Sequence, residues 1–499
     1  MSTVVSTLLT LAQVKILAAY LLPGAFGLFA ALRGFSLLVS LLAANGFPQL
    51  LVRFLPFQES KKQFTRAIGL SGVSFFVPLF LLTVFVFIVE SNRAFFFDII
   101  PEGWLQTAGE SSELFLWFYA TTLGVTLKLV LYGGFNGLRR LPAQIVLEVV
   151  SLAVQVVWIF IWRDQLTLTR LFMILGVTSL AACIVGLPWY FRILFREVAP
   201  EGTADTGSAE TGIGYREYWI GAAGISLVAV AFTDVDRFLL SQVLALEILA
   251  QFHIGSRLLR LTNRFLSVPV LAFQPEISRL DAEERSGSIV LSTTVFFKFN
   301  TAVATAAALS LFALAPDLIR FVSNERYNAA VPLLRILAVS IPLTAMTAPL
   351  TAVMKALDQV RRALYCDLAW AATYVVLLLL LGGAWGLVGA GAAQVSASVV
   401  QLALALSLGR FAPGMGAVIA VVTRSAIAGV VAFAPLLVAG ALMAPSPAAL
   451  AAKLLLFLLS LVLFRFMLKT LGLFTSVERE ALISLMERRG LGTIARRVF

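Results

Sequence analysis

Long apolar runs broken by short polar or Gly/Pro-rich stretches recur along the whole chain. About 20 mostly apolar residues suffice for a helix to cross a bilayer, and fourteen runs meet that length: residues 3–22, 25–46, 67–90, 113–136, 141–162, 168–191, 217–240, 245–269, 289–313, 330–353, 363–382, 386–408, 417–441 and 448–470. The first begins almost at Met1, with no basic segment before it and no small-residue cleavage site after it, so it reads as the first span and not as a signal peptide.

Composition turns this pattern into a class. Of the 499 residues 60% are hydrophobic and 13% charged, against about 25% charged in soluble domains. No soluble core could hide that apolar surface, so the chain is predicted to be an all-α polytopic membrane protein and a water-soluble enzyme is excluded. Cys183 and Cys366 lie in apolar stretches, which implies no disulfide framework, and a single histidine, His253, rules out a His-rich metal centre. No Gly-rich loop followed by Lys is present to bind nucleotide. No cofactor or metal is implied.

A net charge of +11 would suggest nucleic acid in a soluble protein. Across fourteen spans it sorts by side instead. With a cytoplasmic N-terminus, 22 of the 38 basic residues fall in inside segments, among them Lys61, Lys62, Arg139, Arg140, Arg361, Arg362, Arg488 and Arg489. Only six, Arg93, Arg163, Arg170, Arg237, Arg320 and Arg326, fall outside, where the 91–113 loop is acidic. That asymmetry places both termini in the cytoplasm and makes no case for a nucleic-acid partner. A multi-pass position in a membrane that faces the cytoplasm is the expected location.

The longest polar stretch, EGTADTGSAETG within residues 196–216, has linker composition and divides the chain after six spans. We therefore expect an N-terminal lobe over 1–195, a second six-helix lobe over 217–410, two further helices over 411–474 and an amphipathic cytoplasmic tail over 475–499. Pro48 matches Pro269 at an offset of 221, and Arg139-Arg140 match Arg361-Arg362 at 222. These point to a parallel repeat of six helices about an axis along the membrane normal, although arginine pairs are common at cytoplasmic turns. In the tail, Thr475 and Glu478 have capping-box spacing. Leu482, Leu485 and Met486 then share one side of a short helix with basic flanks, suited to anionic membrane lipids.

Each charge in mid-span costs about 2.5–3.5 kcal/mol, so such groups face a cavity or a partner. The deepest are Lys15, Arg33, Lys128, Glu148, Asp234, Asp236, Lys298 and Arg335. The eighth span is densest: His253, Arg257, Arg260 and Arg264, spaced 4, 3 and 4, share one helix face. Either that helix starts late and the residues snorkel at an interface, or they line a water-filled cavity. The stripe extends over roughly 16 Å, about half the hydrocarbon core. One interface cannot hold it all, and with Lys15, Arg33, Lys128, Lys298 and Arg335 it predicts a cationic cavity suited to phosphate. Asp234 and Asp236 either balance bases near the outer interface or gate and couple ions, as Glu148 could. Lys453 and Arg465 are expected to snorkel towards opposite interfaces.

Residues 21–56 (LLPGAFGLFAALRGFSLLVSLLAANGFPQLLVRFLP), with Pro23, Gly24, Phe26 and Gly27 at the turn, resemble the first two helices of polysaccharide transporters of the multidrug/oligosaccharidyl-lipid/polysaccharide (MOP) exporter superfamily. FLSVPVLAFQPEISRL (265–280) and ERYNAAVPLLRIL (325–337) resemble later segments of the same family. The resemblance implies a flippase that carries polyprenyl-diphosphate-linked oligosaccharide, a precursor of O-antigen, capsule or exopolysaccharide, to the outer leaflet by alternating access. It also implies polysaccharide polymerase machinery as a candidate partner, and a lipid-tail groove at the last two helices. A drug/cation antiporter of the superfamily would need acidic anchors in an interior that is mainly basic. A membrane polymerase would need a longer outer loop than the one of about 22 residues between the third and fourth spans.

Overall fold

The computed structural model describes residues 2–60, 63–91, 112–198, 219, 223–224, 235–282, 286–357, 359–443 and 447–487. Among them regular structure is helical: α1 (Ser2–Tyr20), α2 (Pro23–Ala44), α3 (Phe47–Ser60), α4 (Phe64–Ser91), α5 (Ser112–Gly137), α6 (Leu141–Ile161), α7 (Leu168–Val198) and α8 (Val235–Ser241) come first. They are followed by α9 (Leu246–Ala282), α10 (Ser286–Ala313), α11 (Ala315–Val322), α12 (Ala330–Ala356), α13 (Val360–Leu408), α14 (Met415–Leu442), α15 (Pro447–Thr470) and α16 (Ser476–Glu487). Contacts group residues 1–250 and 251–499 into two compact units.

Ten of the described helices are long and apolar enough to cross a membrane. Four differences separate them from the fourteen sequence runs. The apolar part of α1, Val5–Tyr20, is short; the seventh run lies mostly outside the described residues; α9 carries charge throughout; and α13 contains two runs. As one straight rod, the 49 residues of α13 would reach about 73 Å, over twice the hydrocarbon thickness. Gly386 interrupts it with φ 58° and ψ −131°, a conformation for which glycine alone is suited. The chain folds back there, and a Cβ on Gly389 would meet the Leu381 carbonyl oxygen at 1.8 Å.

Two helices were not expected. α3 occupies a stretch read as an inside loop: it is amphipathic and contains Pro56, so no apolar run marks it. α11 is a short helix where the sequence predicts an outer loop. In the first unit polar side chains join neighbouring spans. The Ser36 and Thr122 hydroxyls lie 2.9 Å apart across α2 and α5, Thr121 donates to the Phe172 carbonyl at 3.0 Å, and Gln155 donates to Thr178 at 2.8 Å. Such bonds hold helices together where lipid offers no hydrophobic drive.

The predicted repeat has a counterpart in the cores. In the first unit Leu51, Leu55, Ala67, Leu131 and Phe135 belong to one buried cluster. In the second, Phe273, Ile277, Ile289 and Val353 form another with Leu357 packed against it. Each is 222 residues beyond its partner. One difference between them is local: Gly46, with φ 83°, separates α2 from α3, whereas Val268 stands at the equivalent point and α9 runs on unbroken.

Candidate functional site

The basic stripe is built on α9. His253 is buried, Arg257 and Arg260 are half-buried and Arg264 is exposed, so the four residues grade from interior to surface along one helix face. Arg260 Nη2 donates to Ser256 Oγ at 2.8 Å, one turn earlier, which orients the guanidinium along the helix. Burial thus falls along the stripe from His253 to Arg264.

A second group forms inside the first unit. Lys128 of α5 reaches Ser151 Oγ of α6 at 3.4 Å and interacts electrostatically with Glu148 of α6 and Arg33 of α2. Its ammonium lies 5.9 Å from the Tyr132 ring centroid, and the Arg33 guanidinium 5.8 Å from that of Phe29. The aromatic faces offer cation–π contacts to both bases. Three of the predicted residues, two bases and an acid, are thus brought together by α2, α5 and α6.

Other predicted residues are placed elsewhere. Lys15 is exposed on α1. Arg335 stands over the Phe312 ring at 5.3 Å, its Nε directed at the Phe312 carbonyl. Asp236 is buried in α8, and Asp234 lies outside the described residues. Lys298 donates to both carboxylate oxygens of Glu478 at 2.8 Å, so its charge is engaged by α16.

Two sequence expectations are corrected. Arg237, assigned to an outer loop, is completely buried in α8. That helix packs on α2, with the Phe238 ring 4.7 Å from Phe35, and this carries its neighbours into the interior. Lys453, expected to snorkel, is also completely buried: it pairs with Asp317 of α11 at 2.8 Å and donates to the Met443 carbonyl at 3.1 Å. The partner was hidden because α11 itself was not foreseen. Similarly, Asp367 accepts from Gln401 at 3.0 Å and lies 3.6 Å from Lys355.

The expected capping box of the tail is present. Thr475 N donates to Glu478 Oε2 at 2.9 Å, and Glu478 N donates to Thr475 Oγ1 at 3.3 Å. Burial pushes the Glu478 carboxyl up, but hydrogen bonds from Lys298 and Thr475 outweigh it and hold the group below its ordinary 4.5. Among the described residues no group of His, Cys, Asp and Glu could hold a metal ion.

Residues 1–281 match the family model described as polysaccharide biosynthesis protein. No curated protein matches the chain. A solved structure of the lipid II flippase MurJ, in an inward closed conformation, aligns with a TM-score of 0.68 at 14% identity, covering 94% of this chain and 98% of that one. An inward-facing multidrug resistance MATE transporter of the MOP superfamily aligns with a TM-score of 0.59 at 16% identity, covering 81% and 94%. A MOP transporter from Pyrococcus furiosus gives 0.58 at 15% identity, covering 82% and 92%. These identities speak for a shared fold. With its family match over more than half its length, the chain belongs to the polysaccharide biosynthesis protein family and has the fold of MOP-superfamily membrane transporters.

Proposed function

We propose that the protein is a flippase that moves polyprenyl-diphosphate-linked oligosaccharide from the inner to the outer leaflet of the bacterial cytoplasmic membrane by alternating access, with both termini cytoplasmic. The observation that carries this reading is the α9 stripe of His253, Arg257, Arg260 and Arg264 in a chain of the polysaccharide biosynthesis family. Guanidinium groups bind phosphate oxygens in a bidentate way, and a diphosphate presents several such oxygens at fixed spacing. In this reading the stripe, with Lys15 and Arg33, holds the diphosphate. Asp236 or Glu148 is the group through which an ion gradient acts. The lipid II flippase among the structural neighbours handles, by its name, a lipid-linked cargo, which is consistent with this class.

An organic-cation antiporter is the other transporter chemistry on this fold. Glu148 shares its surroundings with Lys128 and Arg33, which disfavours a bulky organic cation there. The deciding experiment replaces Arg257 and Arg260 with Gln. Surface polysaccharide should be lost while the protein stays in the membrane at normal abundance; normal polymer in the double variant would overturn the assignment.

A further inference from the structure

α10, α15 and α16 enclose a groove of about 680 Å³ within the second unit. Phe299, Ala302, Val303 and Ala306 of α10 and Leu461 and Phe464 of α15 give it apolar walls. The alanines, four residues apart on one face of α10, leave the space that larger side chains would fill. Three bases join this lining: Arg465 and Lys469, one turn apart on α15, and Arg479 of α16. Among the described residues no carboxylate lines the groove. The neighbouring acid, Glu478, is neutralised by Lys298 at 2.8 Å, and the same contact docks the helix that carries Arg479. From Leu461 to Lys469 the groove follows α15 for about 12 Å, roughly the depth of a headgroup and the upper part of an acyl chain. None of His253, Arg257, Arg260 or Arg264 lines it.

From this convergence of charge and apolar surface we infer that the groove is a binding site for an anionic membrane phospholipid, its phosphate held by Arg465, Lys469 and Arg479 and an acyl chain laid between α10 and α15. None of the stripe residues lines the groove and, among the described residues, none of α14 does, so the site proposed is distinct from the cargo stripe and from a lipid-tail groove between α14 and α15. An occupied groove ties α15 and α16 to α10, so the lipid acts as a structural ligand of this unit.

The test uses the purified full-length protein in a neutral detergent, with unfolding temperature and native mass spectrometry as readouts. Phosphatidylglycerol should raise the unfolding temperature and remain bound, whereas phosphatidylcholine of the same chain length and soluble glycerol phosphate should do neither. R465Q/K469Q/R479Q should bind phosphatidylglycerol about a hundredfold more weakly, the scale expected for three basic contacts at a lipid surface. R361Q/R362Q, which removes charge from exposed residues that do not line the groove, should bind like the parent. V303W, which fills the groove and keeps every charge, should also lose binding, and this covers the case in which the triple variant does not fold. Undiminished phosphatidylglycerol binding in V303W or in a folded triple variant would overturn the proposal. So would a polyprenyl phosphate that displaces phosphatidylglycerol from the parent, since it would name a different occupant.

Discussion

Lys298 of α10 and Glu478 of α16 meet with the ammonium 2.8 Å from both carboxylate oxygens, while the same carboxylate accepts the backbone N–H of Thr475. One side chain therefore starts the tail helix and fastens it to a spanning helix. Removing the ammonium leaves a buried carboxylate without its counter-charge. Lys298→Met is expected to cost about 3 kcal/mol and expose α16 to protease. Glu478→Gln, which keeps an acceptor for Thr475, should release α16 from α10 with less loss of helix. Limited proteolysis with fragment mapping distinguishes the two outcomes.

The same carboxylate gives the tail a defined response to acid. Its folded pKa lies below the ordinary 4.5, so its contribution to docking is complete above pH 4.5 and is lost as pH falls through the folded value. Protease sensitivity at Arg479 should rise only below pH 4.5, and Glu478→Gln should remove that dependence. A release of the tail that begins near neutral pH would contradict this account.

Lys453 and Asp317 pair at 2.8 Å with the lysine fully buried. Breaking such a pair from one side is costly because the remaining charge has no water to turn to. Lys453→Met and Asp317→Asn are each expected to destabilise by about 3–5 kcal/mol. The double variant should recover most of the loss, and unfolding temperatures in detergent, arranged as a double-mutant cycle, measure the coupling.

Gly386 sits at φ 58° and ψ −131°, where a side chain costs about 1–3 kcal/mol. Gly386→Ala should lower the unfolding temperature accordingly. Gly72, inside α4 with open space around it, is the contrast: Gly72→Ala should be neutral or stabilising by about 0.5–1 kcal/mol.

Inside the first unit, Lys128 and Glu148 share one environment with Arg33. If Glu148 is the coupling group, Glu148→Gln should abolish polysaccharide export while leaving stability near that of the parent. If its role is to balance Lys128, export should return in Lys128→Gln/Glu148→Gln. Export assays on the single and double variants separate these outcomes.

The spans were legible because a bilayer imposes one length and one polarity on each; most of their ends lie within a few residues of the helix ends, while α7 and α9 run on past the apolar stretch to Val198 and Ala282. The capping box at Thr475 and Glu478 was legible for a similar reason, since both partners lie within one turn. Less visible were features that depend on distant residues. Lys453 and Asp317 are 136 positions apart and Lys298 and Glu478 are 180 apart, and nothing local marks one as the other's partner. α3 escaped because an amphipathic helix with Pro56 offers no continuous apolar run. The repeat showed itself through Arg139-Arg140 and Arg361-Arg362, yet its firmer signature is apolar. Leu51 and Phe273, or Leu131 and Val353, differ in identity and agree only in where they are buried.

The reversal at Gly386 also decides a matter of parity. Each crossing exchanges the side of the membrane on which the next segment emerges, so the number of crossings before α14 determines where α14, α15 and α16 begin and end. Were α13 a single tilted rod, that number would fall by one. The C-terminal helices would then present Lys469, Arg479 and the capping box to the opposite compartment. Handedness of sides for the last quarter of the chain thus rests on one residue that has no side chain.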